Sequence, residues 1–161
     1  MLRHQHRITK YDPTCRNSAG HYTKPEWISY SDIGRAYEGV TLTEEAYLKT
    51  ESAYLATVLS FHAEAGFPEI RALGVECHAA VPCPAEGAVV THVELEAVCR
   101  SLLREAYWCR LEGADFFIHF GYDYYMYIGT GPKCRGSLML ARRLGLFPEP
   151  FVSPYHADPE L

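Results

Sequence analysis

The stretch DFFIHFGYDYYMYIG, residues 115–129, decides the fold. It holds three Phe and four Tyr in fifteen positions, and its apolar residues alternate on both sides of a central glycine. If residues 121–123 form a three-residue hairpin loop, the apolar residues of the two arms share one face. The facing pairs are then Phe120 with Tyr124, Ile118 with Met126, and Phe116 with Ile128. The stretch therefore predicts an antiparallel β-hairpin.

A third strand precedes this hairpin. Gly113 and Ala114 suit a two-residue turn, which pairs Leu111 with Phe116 and places the upstream strand on the same apolar face. Both turns assign the same residues to that face, and such agreement fixes which side of a sheet is buried. The sequence thus predicts a three-strand meander near the C-terminus.

Two segments have the apolar spacing of amphipathic helices. The first follows Thr41 and Glu44, which have capping-box spacing, and is expected to end at Gly66. The second follows Thr91 and Glu94, which repeat that spacing. Because each helix needs an apolar surface to pack on, both are placed on the apolar face of the meander.

The remaining chain completes an α+β prediction. Residues 3–11 and 69–77 have strand composition, and Ser137 is expected to cap a short third helix. We expect an antiparallel sheet of about five strands, including the C-terminal three-strand meander, with two main helices packed on one face. Residues 1–145 are predicted to form a single domain, and the prolines of residues 146–161 predict an extended tail.

The composition limits the function. The 161 residues carry a net charge of −5, which disfavours binding to a nucleic-acid backbone. Nucleic acid is therefore not an expected partner. No run approaches the roughly 18 apolar residues that cross a bilayer, so a membrane is not an expected partner either. The N-terminus lacks the apolar segment of a secretory signal, which predicts a cytoplasmic protein. In that reducing compartment the six cysteines are expected to form no structural disulfide.

The meander face opposite the helices is the first candidate binding surface. Trp, Tyr and Arg are enriched at interface hot spots, because their large side chains bury much area and keep a polar group. This face is expected to carry Trp108, Arg110, Phe117, His119, Tyr125 and Tyr127. Two interpretations stay open: the face binds a partner, or the tail, the N-terminal strand or a loop covers it as a second core layer.

An acidic segment is the second candidate. Residues 26–39 mix aromatic residues with Asp32 and Glu38, and Glu44 and Glu45 begin the first helix. Carboxylates beside aromatic rings would attract a cationic protein partner. The alternative is an ordinary packed loop followed by a solvated helix face.

The loop GTGPKCRGS, residues 129–137, is the best motif for chemistry. Its glycines at 131 and 136 have P-loop spacing, but a serine stands where the P-loop lysine should follow the second glycine. The residues that would bind an anion are Gly131, Lys133, Arg135 and Ser137. A small phosphate-ligand or nucleotide-binding protein or enzyme is therefore the alternative function.

Other chemistry has weaker signals. His4 and His6 could lie on one side of a strand, and Cys77, His78 and Cys83 are close in sequence, but no second pair has zinc-site spacing. The chain contains neither G-x-S-x-G nor H-E-x-x-H. We therefore expect a protein that is not an enzyme and that uses neither a metal nor a cofactor.

Three strings carry a resemblance: YDPTCRNSAGHYTKPEWISYSDIGRAYEG (11–39), LTEEAYLKTESAYLATV (42–58) and WCRLEGADFFIHFGYDYYMYIG (108–129). They resemble small bacterial immunity proteins of polymorphic toxin systems, of the contact-dependent or Rhs type. The resemblance implies a cytoplasmic antidote, monomeric or in a 1:1 complex, which binds and neutralises a cognate toxin domain encoded by the adjacent gene. It implies no catalytic residue. In a third interpretation, the outer aromatic face pairs with a second copy of the chain.

Overall fold

The computed structural model describes residues 2–78 and 80–156 and confirms the α+β class. The elements are β1 (His4–Thr9), β2 (Ala36–Tyr37), β3 (Val40–Thr41), α1 (Glu44–Glu64), β4 (Ile70–Cys77), β5 (Val89–Val90), α2 (His92–Leu103), β6 (Tyr107–Glu112), β7 (Phe116–Phe120), β8 (Met126–Thr130), α3 (Arg135–Arg143) and β9 (Phe147–Pro150). Seven strands form one antiparallel sheet in the order β5-β4-β6-β7-β8-β1-β9, and β2 and β3 form a separate hairpin. Among the described helices, none is long and apolar enough to cross a membrane.

The meander is present, with a register two residues away from the predicted one. Phe120 pairs with Met126, so Tyr124 lies in the loop and not opposite Phe120. Asp123 and Tyr124 have φ values of 61° and 66°, and this left-handed backbone turns the chain before β8 begins. The turn before β7 shifts likewise, and Leu111 pairs with Ile118. Because side chains alternate with a period of two, the same residues still face the core.

The helices lie on the predicted apolar face. In α1 the N-cap is Thr43 and not Thr41, because Thr41 belongs to β3. The capping box of Thr91 and Glu94 is confirmed at the start of α2. A third helix, α3, begins at Arg135, so Ser137 lies in its first turn and does not cap it. Since α1 packs against both α2 and α3, the three helices cover one face of the sheet.

The tail contains a strand. β9 pairs with β1, with Pro148 opposite Ile8 and Pro150 opposite His6. The prediction that prolines exclude regular structure here is wrong for residues 147–150, because β9 is an edge strand, where a missing N–H is tolerated. Residues 151–156 continue over the outer face and are called the C-terminal strap; the predicted tail beyond residue 156 lies outside the described residues.

A disulfide joins Cys77 and Cys83, so the expectation of no structural bridge is wrong. Cys77 ends β4, and its Cα lies 5.8 Å from the Cα of Cys83, within the range of a disulfide. The bridge closes a short loop at one end of the sheet. The other four cysteines are free thiols.

Candidate functional site

The outer aromatic face is covered by the chain itself. Phe117, His119 and Tyr127 are buried. The strap lies across them, with Phe151 beside Tyr127 and His156 edge-on to Phe117. The expectation of an exposed aromatic platform is therefore wrong for these three residues, and the alternative of a second core layer describes the structure.

A buried histidine fastens the strap to the sheet. His119 Nδ1 lies 2.7 Å from Ser153 Oγ, and its Nε2 lies 2.8 Å from Glu112 Oε1. Burial lowers the pKa of His119, an effect that the Glu112 carboxylate opposes. Serine, histidine and glutamate in a line resemble a hydrolase triad. However, Ser153 is only 4% exposed and its Oγ also accepts the Tyr155 amide, so the geometry is that of a structural anchor.

The other three residues predicted on this face are half-buried. Trp108 donates its indole N–H to the Phe120 carbonyl, Arg110 pairs with Glu112, and Tyr125 packs beside Tyr11. Of these, Trp108 lines a cavity.

That cavity, called the aromatic cleft, has a volume of about 570 Å³. Its lining includes Tyr107, Trp108, Tyr122 and Tyr155 together with two exposed carboxylates, those of Glu76 and Glu105. Glu76 on β4 pairs with Trp108 on β6. The other lining residues lie in separate segments: Glu105 follows α2, Tyr122 lies in the β7–β8 loop, and Tyr155 belongs to the strap. The sequence predicted only Trp108 as a site residue, because Tyr107 points to the core face of β6 and the other residues come from separate segments that share no motif.

A buried carboxylate supports two sides of this cleft. Glu51 is 2% exposed and accepts hydrogen bonds from Arg100, Arg104 and the Tyr47 hydroxyl. Tyr47 also bonds to the Tyr124 hydroxyl in the β7–β8 loop. Burial acts to raise the pKa of Glu51, but the Arg104 and Tyr47 hydrogen bonds prevail and lower it. Glu51 thus ties α1 to the end of α2 and to the loop that carries Tyr122.

The acidic candidate divides into a structural part and an exposed part. The buried Asp32 carboxylate accepts the amides of Ile28 and Ser29 and pairs with Arg35, so its predicted role in supplying charge to a partner is wrong. Glu38, Glu44 and Glu45 are exposed as predicted.

Two apolar side chains accompany these carboxylates. Val40 is 72% exposed on the β2–β3 hairpin, and Leu48 is exposed on the first turns of α1. We call this group the acidic hairpin surface; it consists of Glu38, Val40, Glu44, Glu45 and Leu48. Carboxylates in the first turn of a helix stabilise it, but an exposed valine on a small hairpin contributes little to the fold.

The loop of residues 129–137 already holds an anion from the chain itself. The amides of Gly136 and Ser137 donate to the Glu64 carboxylate over 3.0 and 2.7 Å, and the Ser137 hydroxyl donates to it as well. Burial acts to raise the pKa of Glu64, but these hydrogen bonds prevail and lower it. Lys133 and Arg135 are exposed nearby. The first amides of α3, which a phosphate would need, are thus occupied.

In the part of the chain that the structure describes, no group of three or more His, Cys, Asp or Glu side chains is arranged to hold a metal ion. Cys77 and Cys83, two of the residues considered for such a site, are joined as a disulfide. Comparison with protein-family models, with curated proteins and with solved structures finds no match.

Proposed function

We propose that this chain is a non-catalytic immunity protein that neutralises a cognate toxin domain by stoichiometric binding. The observation that carries the proposal is the acidic hairpin surface, in which exposed Val40 and Leu48 belong to the same short segment, residues 38–48, as three exposed carboxylates. Exposed apolar residues accompanied by charged ones are typical of protein interfaces. The surface suits a basic partner, such as a toxin domain that acts on nucleic acid.

The hairpin is suited to binding without rearrangement. Its two strands pair Ala36 with Thr41 and Tyr37 with Val40, and Glu38 and Gly39 form the turn with positive φ values of 50° and 79°. Such a two-residue turn fixes the strands in the twist that a hairpin prefers. Preorganisation reduces the entropy lost on association, and exposed carboxylates accelerate encounter with a cationic partner.

The phosphate-binding alternative has less support. Its loop would have to release Glu64 from the first amides of α3 before an external anion could bind there. The Glu64 carboxylate belongs to the same chain and is therefore held at high effective concentration beside these amides, so free phosphate competes poorly with it.

Growth rescue tests the proposal. The chain is co-expressed with the product of the adjacent upstream gene, and the triple variant E38K/E44K/E45K is compared with the wild type. The control variant E69K/E96K/D115K makes the same change in net charge at other exposed positions. We expect the wild type and the control to restore growth and to co-purify with the toxin, whereas the hairpin variant does neither. Equal rescue by both variants, or no rescue by the wild type, would refute the proposal.

A further inference from the structure

We propose that the aromatic cleft binds the cationic side chain of an arginine or lysine from a protein ligand. The cleft combines aromatic rings with the exposed carboxylates of Glu76 and Glu105, and among the described residues its lining contains neither Lys nor Arg but includes one histidine, His78. Aromatic rings attract cations through the negative potential of their faces, and a carboxylate adds charge-assisted hydrogen bonds. The combination selects a cation with an apolar stem.

The backbone at Glu105 shows that a glutamate at this position lowers the stability of the folded chain relative to glycine. Glu105 has φ 59° and follows the end of α2, where its amide bonds to the Leu102 carbonyl and the Ala106 amide bonds to the Ser101 carbonyl. This is the Schellman arrangement, in which glycine normally occupies the left-handed position. A negative charge is also unfavourable beside the carboxyl end of a helix. Local stability therefore favours glycine at position 105, whereas cation binding favours glutamate.

Tyr122 is a second residue at this cleft that folding alone does not explain. Its side chain is 81% exposed, in a loop whose next two residues have positive φ values. A large ring in water contributes little to folding. The buried contacts of the loop are made by Tyr124, whose hydroxyl bonds to Tyr47, so the exposure of Tyr122 is not a by-product of a loose loop. At the edge of the cleft its ring is free to contact a bound arginine or lysine side chain.

This inference goes beyond the proposed function, because the cleft and the acidic hairpin surface share no residue. A basic toxin could supply the arginine or lysine side chain. The cleft should, however, also bind a short peptide that contains one of these residues, whether or not the toxin exists. The two proposals can therefore fail separately.

The test uses the full chain and two blocked tripeptides, acetyl-Gly-Arg-Gly-amide and its citrulline counterpart, which has nearly the same shape and no charge. The reporter is the indole N–H signal of Trp108 in a ¹H–¹⁵N correlation spectrum, assigned with Trp108→Phe. We expect the arginine peptide to shift this signal saturably and the citrulline peptide to bind about tenfold more weakly, as loss of a cation–π contact and a charge pair implies.

Two variants separate binding from folding. Glu105→Gly should weaken arginine-peptide binding about tenfold while raising the Tm by about 2–4 °C, because it relieves the left-handed glutamate. Glu76→Gln should weaken binding with little change in Tm, since Glu76 is exposed. Equal binding of the citrulline peptide, no saturable shift, or unchanged binding in both variants would overturn the proposal.

Discussion

Replacing Glu51 with Gln tests the network that supports the aromatic cleft. The Glu51 carboxylate is buried and bonded to Arg100, Arg104 and Tyr47, whereas the two arginine side chains are 37% and 30% exposed. Removing one partner of a fully buried ion pair costs about 3–5 kcal/mol. Because these arginines can recover part of their hydration, we expect Glu51→Gln to lower the free energy of unfolding by about 2 kcal/mol.

Glu96→Gln is the matched control. Glu96 also pairs with Arg100, at 2.7 Å, but its side chain is 49% exposed on the surface of α2. Such an exposed pair, four residues apart on a helix, contributes about 0.5 kcal/mol or less. Urea unfolding followed by fluorescence measures both variants. If Glu51→Gln is destabilised no more than Glu96→Gln, the buried network does not hold α1 to the end of α2.

The same comparison has a defined pH dependence. The pKa of Glu51 is lowered in the folded protein, so its contribution is present above the pKa of an unfolded glutamate, about 4.3. As the pH falls through the lower folded pKa, the carboxylate is protonated and this contribution is lost. The stability difference between the wild type and Glu51→Gln should therefore be full at pH 7 and shrink below about pH 4. A difference that grows on acidification would contradict this assignment.

Three further predictions concern the strap, the disulfide and the loop before α3. Ser153→Ala leaves a buried imidazole nitrogen without its partner and should lower the free energy of unfolding by about 1–2 kcal/mol, with faster amide exchange in the strap. Reducing the Cys77–Cys83 bridge should leave the far-ultraviolet circular dichroism spectrum unchanged and lower the free energy of unfolding by about 2 kcal/mol. The reductant should not change the stability of a variant in which both cysteines are serine, because that variant has no bridge. Glu64→Ala should destabilise the chain by about 1 kcal/mol by removing the acceptor for the Ser137 amide, and titration with inorganic phosphate should stabilise this variant more than the wild type.

Local patterns in the sequence predict much of the fold. The alternation in β7 and β8 identifies their buried face even though the register is two residues away, because a shift of two preserves the face. The capping box at Thr91 predicts the start of α2 for a similarly local reason. The loop register could not be predicted, because Asp123 and Tyr124 adopt left-handed backbone that non-glycine residues rarely take.

The functional surfaces depend on contacts between distant segments. The strap reaches the outer face only because β9 pairs with β1 at the opposite end of the chain. The aromatic cleft is assembled from β4, the end of α2, β6, the β7–β8 loop and the strap. Composition correctly suggested exposed carboxylates at Glu38, Glu44 and Glu45, but the burial of Asp32 follows from bonds within its own loop.

Hydrogen–deuterium exchange on the chain, free and bound to the product of the adjacent gene, tests most directly which surface binds the partner. We predict that binding slows exchange in residues 36–48, which include the hairpin and the start of α1, and leaves the strap at residues 151–156 unchanged. Slower exchange confined to the strap and β7, with no change in residues 36–48, would show that the covered aromatic face opens to bind the partner and would contradict the proposed interface.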